Sequence, residues 1–281
     1  MNELKVSIII PNKRNGWELL TLISSIVLHK IDKKAEIIVV DSSETEYDRV
    51  VIEQHLENGT FHKAKFISSD AYVGKNRNIG IELAEGDVIA FLDADTKLTE
   101  YWFDELVKSF KQGHKIVAGY SPDPHGRHLP RVPIYVDGQD ITYPSCNIAY
   151  HREVFEKVGK FREDMPRASD CEFNYRCVKA GYVIYYNPHM KVYHYAKPTF
   201  GAFAKQAFWN GYGRYLLNKI HPELRRKHEH GLKVKNMIRL AFGAIGYLYC
   251  GWRTLPIIVR FTVVSIIILL IVFAPVLMAI L

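Results

Sequence analysis

Two carboxylates, Asp93 and Asp95, stand one residue apart just beyond the apolar run Val88–Leu92. If that run is a buried strand, residues i and i+2 of the extended segment face the same way, and both carboxylates converge on one point past the strand end. Like charges held close repel, and each resists losing its water. A divalent cation bridging to a phosphate would offset that cost, because hard cations prefer oxygen ligands. The same spacing also arises in an ordinary surface turn, so the surrounding residues have to decide.

Those surroundings favour chemistry. Asp41 ends a second apolar run, Ile37–Val40, and its carboxylate should reach the same sheet edge. The stretch GKNRNIG, Gly74 to Gly80, sets Lys75 and Arg77 at the opening of a helix. Backbone N–H groups and a guanidinium there suit anions. A nucleoside diphosphate would fit, with its base and ribose near Asp41 and its diphosphate near Arg77 and the metal.

The elements that must position these residues alternate along the chain. Val6–Ile10, Ile37–Val40, Lys65–Ser68 and Val88–Leu92 read as strands. Leu19, Leu22, Ile23 and Ile26 recur at helical spacing between the first two, and a further helix near Gly74 carries Ile79 and Leu83. Thr99 is placed to cap a helix whose apolar face holds Trp102, Phe103, Leu106, Val107 and Phe110. The fold class expected is α/β, a mostly parallel sheet flanked by helices, with ligands at the carboxyl ends of the strands. Gly119–Tyr143 is rich in proline and glycine and reads as a long irregular connection. Helices are expected at Arg152–Val158 and from Ser169, and two short strands around an Asn187–Pro188 turn.

The chain of 281 residues carries a formal net charge of +7, unevenly spread. Lys219 to Arg239 holds seven basic and two acidic residues, while the remainder is near neutral, so a nucleic-acid footprint is not expected. Phe261 to Leu281 is 21 residues without a charge, long enough to span a bilayer. Met237–Trp252 is a second apolar stretch, so one or two spans remain open. A basic cluster before an apolar segment points to a membrane surface. The division expected is a catalytic domain at 1–200, a basic amphipathic interface segment at 201–236 and a membrane anchor at 237–281. Four cysteines without CxxC spacing suggest neither a disulfide framework nor a zinc site, and fit a catalytic part facing the cytosol.

Seven motifs occur in order: VSIIIPNKR, IIVVDSS, GKNRNIG, GDVIAFLDAD, CNIAYHREVFEKVGKF, SDCEF and VYH. Together, over roughly residues 5 to 195, they resemble the family 2 glycosyltransferases. The resemblance implies a GT-A fold and an inverting enzyme that takes a sugar from a nucleotide-sugar donor, of UDP or GDP type, usually with Mg2+ or Mn2+. It implies that Asp41 contacts the nucleobase, that Asp93 faces ribose and metal, and that Asp95 binds the metal directly. Pro11, at the head of the first loop, joins Lys75 and Arg77 on the donor side. His194 aligns with a histidine that approaches metal or phosphates in many members. Asp170 matches the family's catalytic base, with Ser169 where a glutamate usually stands. Ser169 and Glu172 also match a capping box, which gives Glu172 a structural role and leaves Asp170 as the candidate base. The loop Pro-Asn-Lys-Arg and the sequence Asp-Ser-Ser depart from the family's usual forms and leave the nucleobase open.

KQAFWNGYGRY, Lys205 to Tyr215, keeps only the Trp of a Gln-x-x-Arg-Trp signature and reads better as an interface helix. One or two spans could not line a polymer channel, which also argues against processive synthesis. The reading is transfer of a single sugar to a lipid-linked acceptor at the cytosolic membrane face. A sugar-phosphate nucleotidyltransferase would need a glycine-rich basic loop after the first strand, where PNKRNG has one glycine. A membrane-tethered protein that only binds sugar nucleotides is the other alternative, and the intact Asp41, Asp93, Asp95 and Asp170 argue against it.

Overall fold

The computed structural model describes residues 4–44, 46–67, 72–126, 132–195 and 200–226. The expected spans at 237–281 lie outside them. Among the described residues, no helix is long and apolar enough to cross a membrane.

In chain order the elements are β1 (Val6–Asn12), α1 (Gly16–Leu28), β2 (Glu36–Asp41), α2 (Glu46–Glu57), β3 (Lys63–Phe66), α3 (Val73–Leu83), β4 (Val88–Leu92), β5 (Thr96–Leu98) and α4 (Trp102–Lys111). They continue with β6 (Ile116–Tyr120), β7 (Tyr135–Val136), β8 (Gln139–Asp140), β9 (Asn147–His151), α5 (Arg152–Val158), α6 (Ser169–Lys179), β10 (Ile184–His194), α7 (Phe200–Ile220) and α8 (Glu223–Arg226). Eight strands form one sheet in the order β3-β2-β1-β4-β9-β6-β10-β5. β3, β2, β1 and β4 are parallel, as are β6 and β10, while β9 runs antiparallel to both β4 and β6.

The central strands are buried on both faces, which is why they read as unbroken apolar runs. Their side chains alternate between two layers. Ile8, Ile10 and Val39 pack with Leu19, Leu22 and Ile26 of α1 and with Trp102 and Leu106 of α4. Ile9, Val40 and Phe91 pack on the opposite face with Ile81 of α3, Phe155 of α5 and Phe173 of α6. Gly80 lets α3 lie close on this face, because a Cβ there would come within 2.4 Å of Ile9 Cγ2. That close approach fixes Arg77, one turn earlier, at the sheet edge.

Four local expectations are corrected. Thr99 does not cap α4: its hydroxyl donates to Lys191 O at 2.7 Å, and the cap position is Tyr101, without a side-chain bond. Ser169 and Glu172 form no capping box. Ser169 is already the first residue of α6, and the Glu172 carboxylate is held by Arg176 Nε at 2.9 Å. The Asn187–Pro188 pair does not separate two strands, because β10 runs through it with a register shift between Asn187 and Lys191. An irregularity absorbs the proline's missing N–H, and Asn187 Nδ2 anchors it to Glu105 Oε2 and Ser109 Oγ, both at 3.0 Å. The Gly119–Tyr143 connection contains the small β7–β8 hairpin, so its described part is not wholly irregular.

Candidate active site at the carboxyl edge of the sheet

β1, β2 and β4 end at the same edge; β1 and β2 end on Asn12 and Asp41, and Asp93 follows directly after β4. Asn12 lies in register with Asp41, and its Nδ2 donates to Asp41 Oδ1 at 2.9 Å. The same oxygen accepts from Ser43 Oγ at 2.6 Å and Ser43 N at 3.2 Å. Asp41 Oδ2 is buried without a hydrogen-bond partner among the described residues, as is Asn12 Oδ1. Two buried acceptors left open at a strand end call for donors from a ligand. Pro11 is buried beside them, opposite Val40.

After β4 the chain turns through Asp93-Ala94-Asp95 into β5. Thr96 closes the turn with its N at 3.1 Å and its Oγ1 at 2.8 Å from Asp93 O. Because β5 pairs with the end of β10, Thr96 lies opposite His194. His194 Nε2 is 3.2 Å from Asp95 Oδ1. Arg77 Nη2 donates to Asp93 Oδ1 at 3.1 Å, with the Arg77 side chain only 5% exposed. Arg77, not the exposed Lys75, is thus the α3 cation that meets the acidic turn.

Asp170 opens α6. Its Oδ2 accepts from Ser145 N at 3.2 Å and Ser145 Oγ at 3.3 Å, and its Oδ1 from Cys171 N at 2.9 Å. The residue at the cap, Ala168, has a φ of 60°. A left-handed alanine is strained, and such strain concentrates at functional sites.

The electrostatics join these groups. Burial pushes the Asp93 carboxyl above its ordinary range; Arg77 and His194 oppose this, and the charges of Asp95 and Asp170 add to it. Asp93, Asp95 and Asp170 therefore share one field although they come from distant parts of the chain. Burial works against a charged His194, yet Cys146 and Asp95 hold its proton well above the usual histidine range.

Among the described residues, no three His, Cys, Asp or Glu side chains form a ready-made metal cage. The donor set still fits a divalent cation: Asp93 and Asp95 repel each other, and His194 supplies part of the positive charge they lack. His194 Nε2 faces Asp95 Oδ1 at 3.2 Å, so ligation through that nitrogen would need this contact to open.

Several participants escape sequence reasoning. Asn12 and Ser43 orient Asp41, Ser145 orients Asp170, and Cys146 stands beside His194. Asn12 had a readable signal, since it ends an apolar run as Asp41 does. Ser145 had none, and Cys146 only its place at the head of CNIAYH, because their roles depend on β9 returning antiparallel between β4 and β6.

An α/β sheet with acidic groups and a buried arginine gathered at its carboxyl edge has its candidate site where open α/β sheets bind ligands. The family described as Glycosyl transferase family 2 matches residues 7–159, more than half of the chain. The chain belongs to that family and is a glycosyltransferase. It is 24% identical over 231 residues, 72% of this chain and 72% of the relative, to the glucosyl-dolichyl phosphate glucuronosyltransferase of Haloferax volcanii. Among solved structures it is similar to the mannosyltransferase PcManGT from Pyrobaculum calidifontis in complex with GDP-Man and Mn2+. There the TM-score is 0.62 at 16% identity, covering 96% of this chain and 81% of that one. The S. aureus TarS 1–349 complex with UDP-GlcNAc gives a TM-score of 0.59 at 17% identity, covering 72% of this chain and 61% of that chain. These likenesses show the fold, which is GT-A-like.

Proposed function

We propose that this chain is a membrane-anchored, inverting glycosyltransferase. It moves one sugar from a UDP- or GDP-sugar to a lipid-linked acceptor at the cytosolic membrane face, using Mg2+ or Mn2+. The observation that carries the site reading is the Arg77–Asp93 pair, 3.1 Å apart beside Asp95 at the carboxyl edge, with Asp170 within its electrostatic reach. The lipid acceptor is supported by the uncharged run 261–281 and by the dolichyl phosphate named for the Haloferax relative.

Asp41 Oδ2 and Asn12 Oδ1 supply open acceptors for the N–H groups of the nucleobase. Asp93 and Asp95 are the residues that would hold the cation, which when bound would offset charge on the donor diphosphate. Arg77 adds a fixed positive charge at the same place, where charge develops as the sugar leaves. Asp170, held by Ser145 and Cys171, accepts the proton of the acceptor hydroxyl as that oxygen bonds to the anomeric carbon. The bond from that carbon to the diphosphate breaks on the opposite face, and the nucleoside diphosphate departs with the electron pair.

The test is transfer of labelled sugar from a panel of UDP- and GDP-sugars into a lipid extract, using membranes carrying the protein, with Mn2+ or with EDTA. Metal-dependent label in the lipid phase is expected. Nucleoside diphosphate released without lipid label would remove the lipid acceptor. Absence of turnover by folded protein with every donor would remove the catalytic reading.

A further inference from the structure

Helix α7 buries one side and exposes another of unusual composition. On the covered side, a Cβ at Gly213 would lie 3.0 Å from the Cβ atoms of Arg167 and Ala168, so the helix runs close against the loop before α6. Leu217 is fully buried with the α6 layer, and Arg214 Nη2 donates to Val132 O. On the other side, Phe208, Tyr212 and Tyr215 recur at i, i+4 and i+7 and are 67%, 39% and 53% exposed. Trp209 lies edge-on to both Phe208 and Tyr212 at 5.7 Å, and Tyr212 stacks on Tyr215 at 6.3 Å. Four rings thus form one continuous, largely open ladder. A contiguous aromatic patch open to solvent is the kind of surface that serves as an interaction site.

The sequence that carries the ladder is one-sided in charge. From Phe173 to Pro222 there are fifty residues without an Asp or Glu and with seven Lys or Arg. The basic cluster Lys219–Arg239 and the uncharged run 261–281 follow. A segment that is aromatic and net basic complements a surface that is anionic outside and apolar beneath. Tyr and Trp suit that boundary because each has an apolar body and a polar tip. A second copy of the chain would bring the same positive charge to the contact and be repelled.

We infer that the Phe208–Tyr215 face of α7 seats in the headgroup layer of an anionic bilayer and holds the start of α6 at the membrane surface. The contact of α7 with Ala168, two residues before Asp170, makes the link. Seating the ladder places the base at the level where the polar head of a lipid-linked acceptor emerges. This rests on the membrane reading above and names the surface that carries it out.

The experiment uses the full chain reconstituted in phosphatidylcholine–phosphatidylglycerol vesicles doped with a diazirine-bearing phosphatidylcholine, followed by irradiation, digestion and mass spectrometry. Lipid adducts on Phe208, Tyr212 or Tyr215, in addition to adducts in 261–281, are expected. The triple variant Phe208→Ser, Tyr212→Ser, Tyr215→Ser should lower α7 labelling and transfer into vesicle-borne acceptor by about tenfold, with nucleotide-sugar hydrolysis in water unchanged. Adducts confined to 237–281 would overturn the inference and leave the membrane reading standing. No adducts anywhere would overturn both, without touching the nucleotide site. Crosslinks from α7 to a second copy would also overturn it.

Discussion

At the amino edge of the sheet, Glu36 is surrounded by donors. Its carboxylate accepts from Ser7 Oγ at 2.5 Å and Glu85 N at 2.9 Å, and pairs with Lys63 Nζ at 2.8 Å. Burial opposes the charge, but the bonds from Lys63, Ser7 and Glu85 outweigh it and hold the carboxyl below its ordinary range. At the carboxyl edge, Asp93 has Arg77 and two acidic neighbours, and its carboxyl is pushed up instead. One sheet thus carries a carboxylate whose charge the fold favours and another whose charge it disfavours. The first ties the starts of β1, β2 and β3 to the loop that leads into β4. The second keeps an unbalanced charge that a cation and a diphosphate would balance, the usual exchange of stability for function.

The sharpest way to break this contrast is at the base. Asp170→Asn should lower kcat by about 10²- to 10⁴-fold, the span of general-base catalysis, with nucleotide-sugar binding retained by calorimetry. Unchanged kcat would assign the proton transfer elsewhere.

Asp93→Asn should abolish transfer and yet flatten the pH dependence of stability. A carboxyl whose folded pKa is raised gives the folded state the extra proton just above the ordinary Asp value. Metal-free stability therefore falls as pH rises from that value through the folded one, then levels off. The variant should lack this fall in thermal melts taken without divalent ions.

Glu36→Gln should behave in the opposite sense. Its lowered pKa contributes stability that is present above the ordinary Glu value and lost as pH falls through the folded one. A loss of about 1 kcal/mol at neutral pH, shrinking in acid, is expected in denaturant titrations, with transfer unaffected.

The smallest effect concerns the strained alanine. Ala168→Gly should stabilise by about 1 kcal/mol, because glycine adopts a positive φ without the Cβ clash. Equal stability in denaturant melts would show that the Ala168–Gly213 packing compensates.

The core half of this contrast was legible in the sequence, since strands buried on both faces must be continuous apolar runs. The parallel unit β1, β2 and β4 and the acidic turn after β4 follow from that alone. α2 was not legible because only Asp48, Val51 and Ile52 are buried along its twelve residues, too few for a clear helical period. β9 was hidden because NIAYH carries no turn signal before α5, and its antiparallel insertion is a tertiary fact. Without β9, the Ser145 and Cys146 that meet Asp170 and His194 had no visible partners. The Ser-x-x-Glu pattern misled for a related reason. Arg176, one turn on in α6, and His221, from beyond α7, claim Glu172, with His221 Nε2 3.4 Å from its Oε1, so an in-helix ion pair and one tertiary partner displaced the cap.

The central claim is that Asp93 and Asp95 are incomplete without a cation and a diphosphate. Calorimetric titration of UDP and GDP into the full chain, with Mn2+ and with EDTA, tests it most directly when Asp95→Asn is run alongside. The account predicts at least about tenfold tighter binding of one nucleotide with Mn2+, and loss of that difference in the variant. Equal Mn2+ enhancement in Asp95→Asn and in the unaltered protein would contradict it.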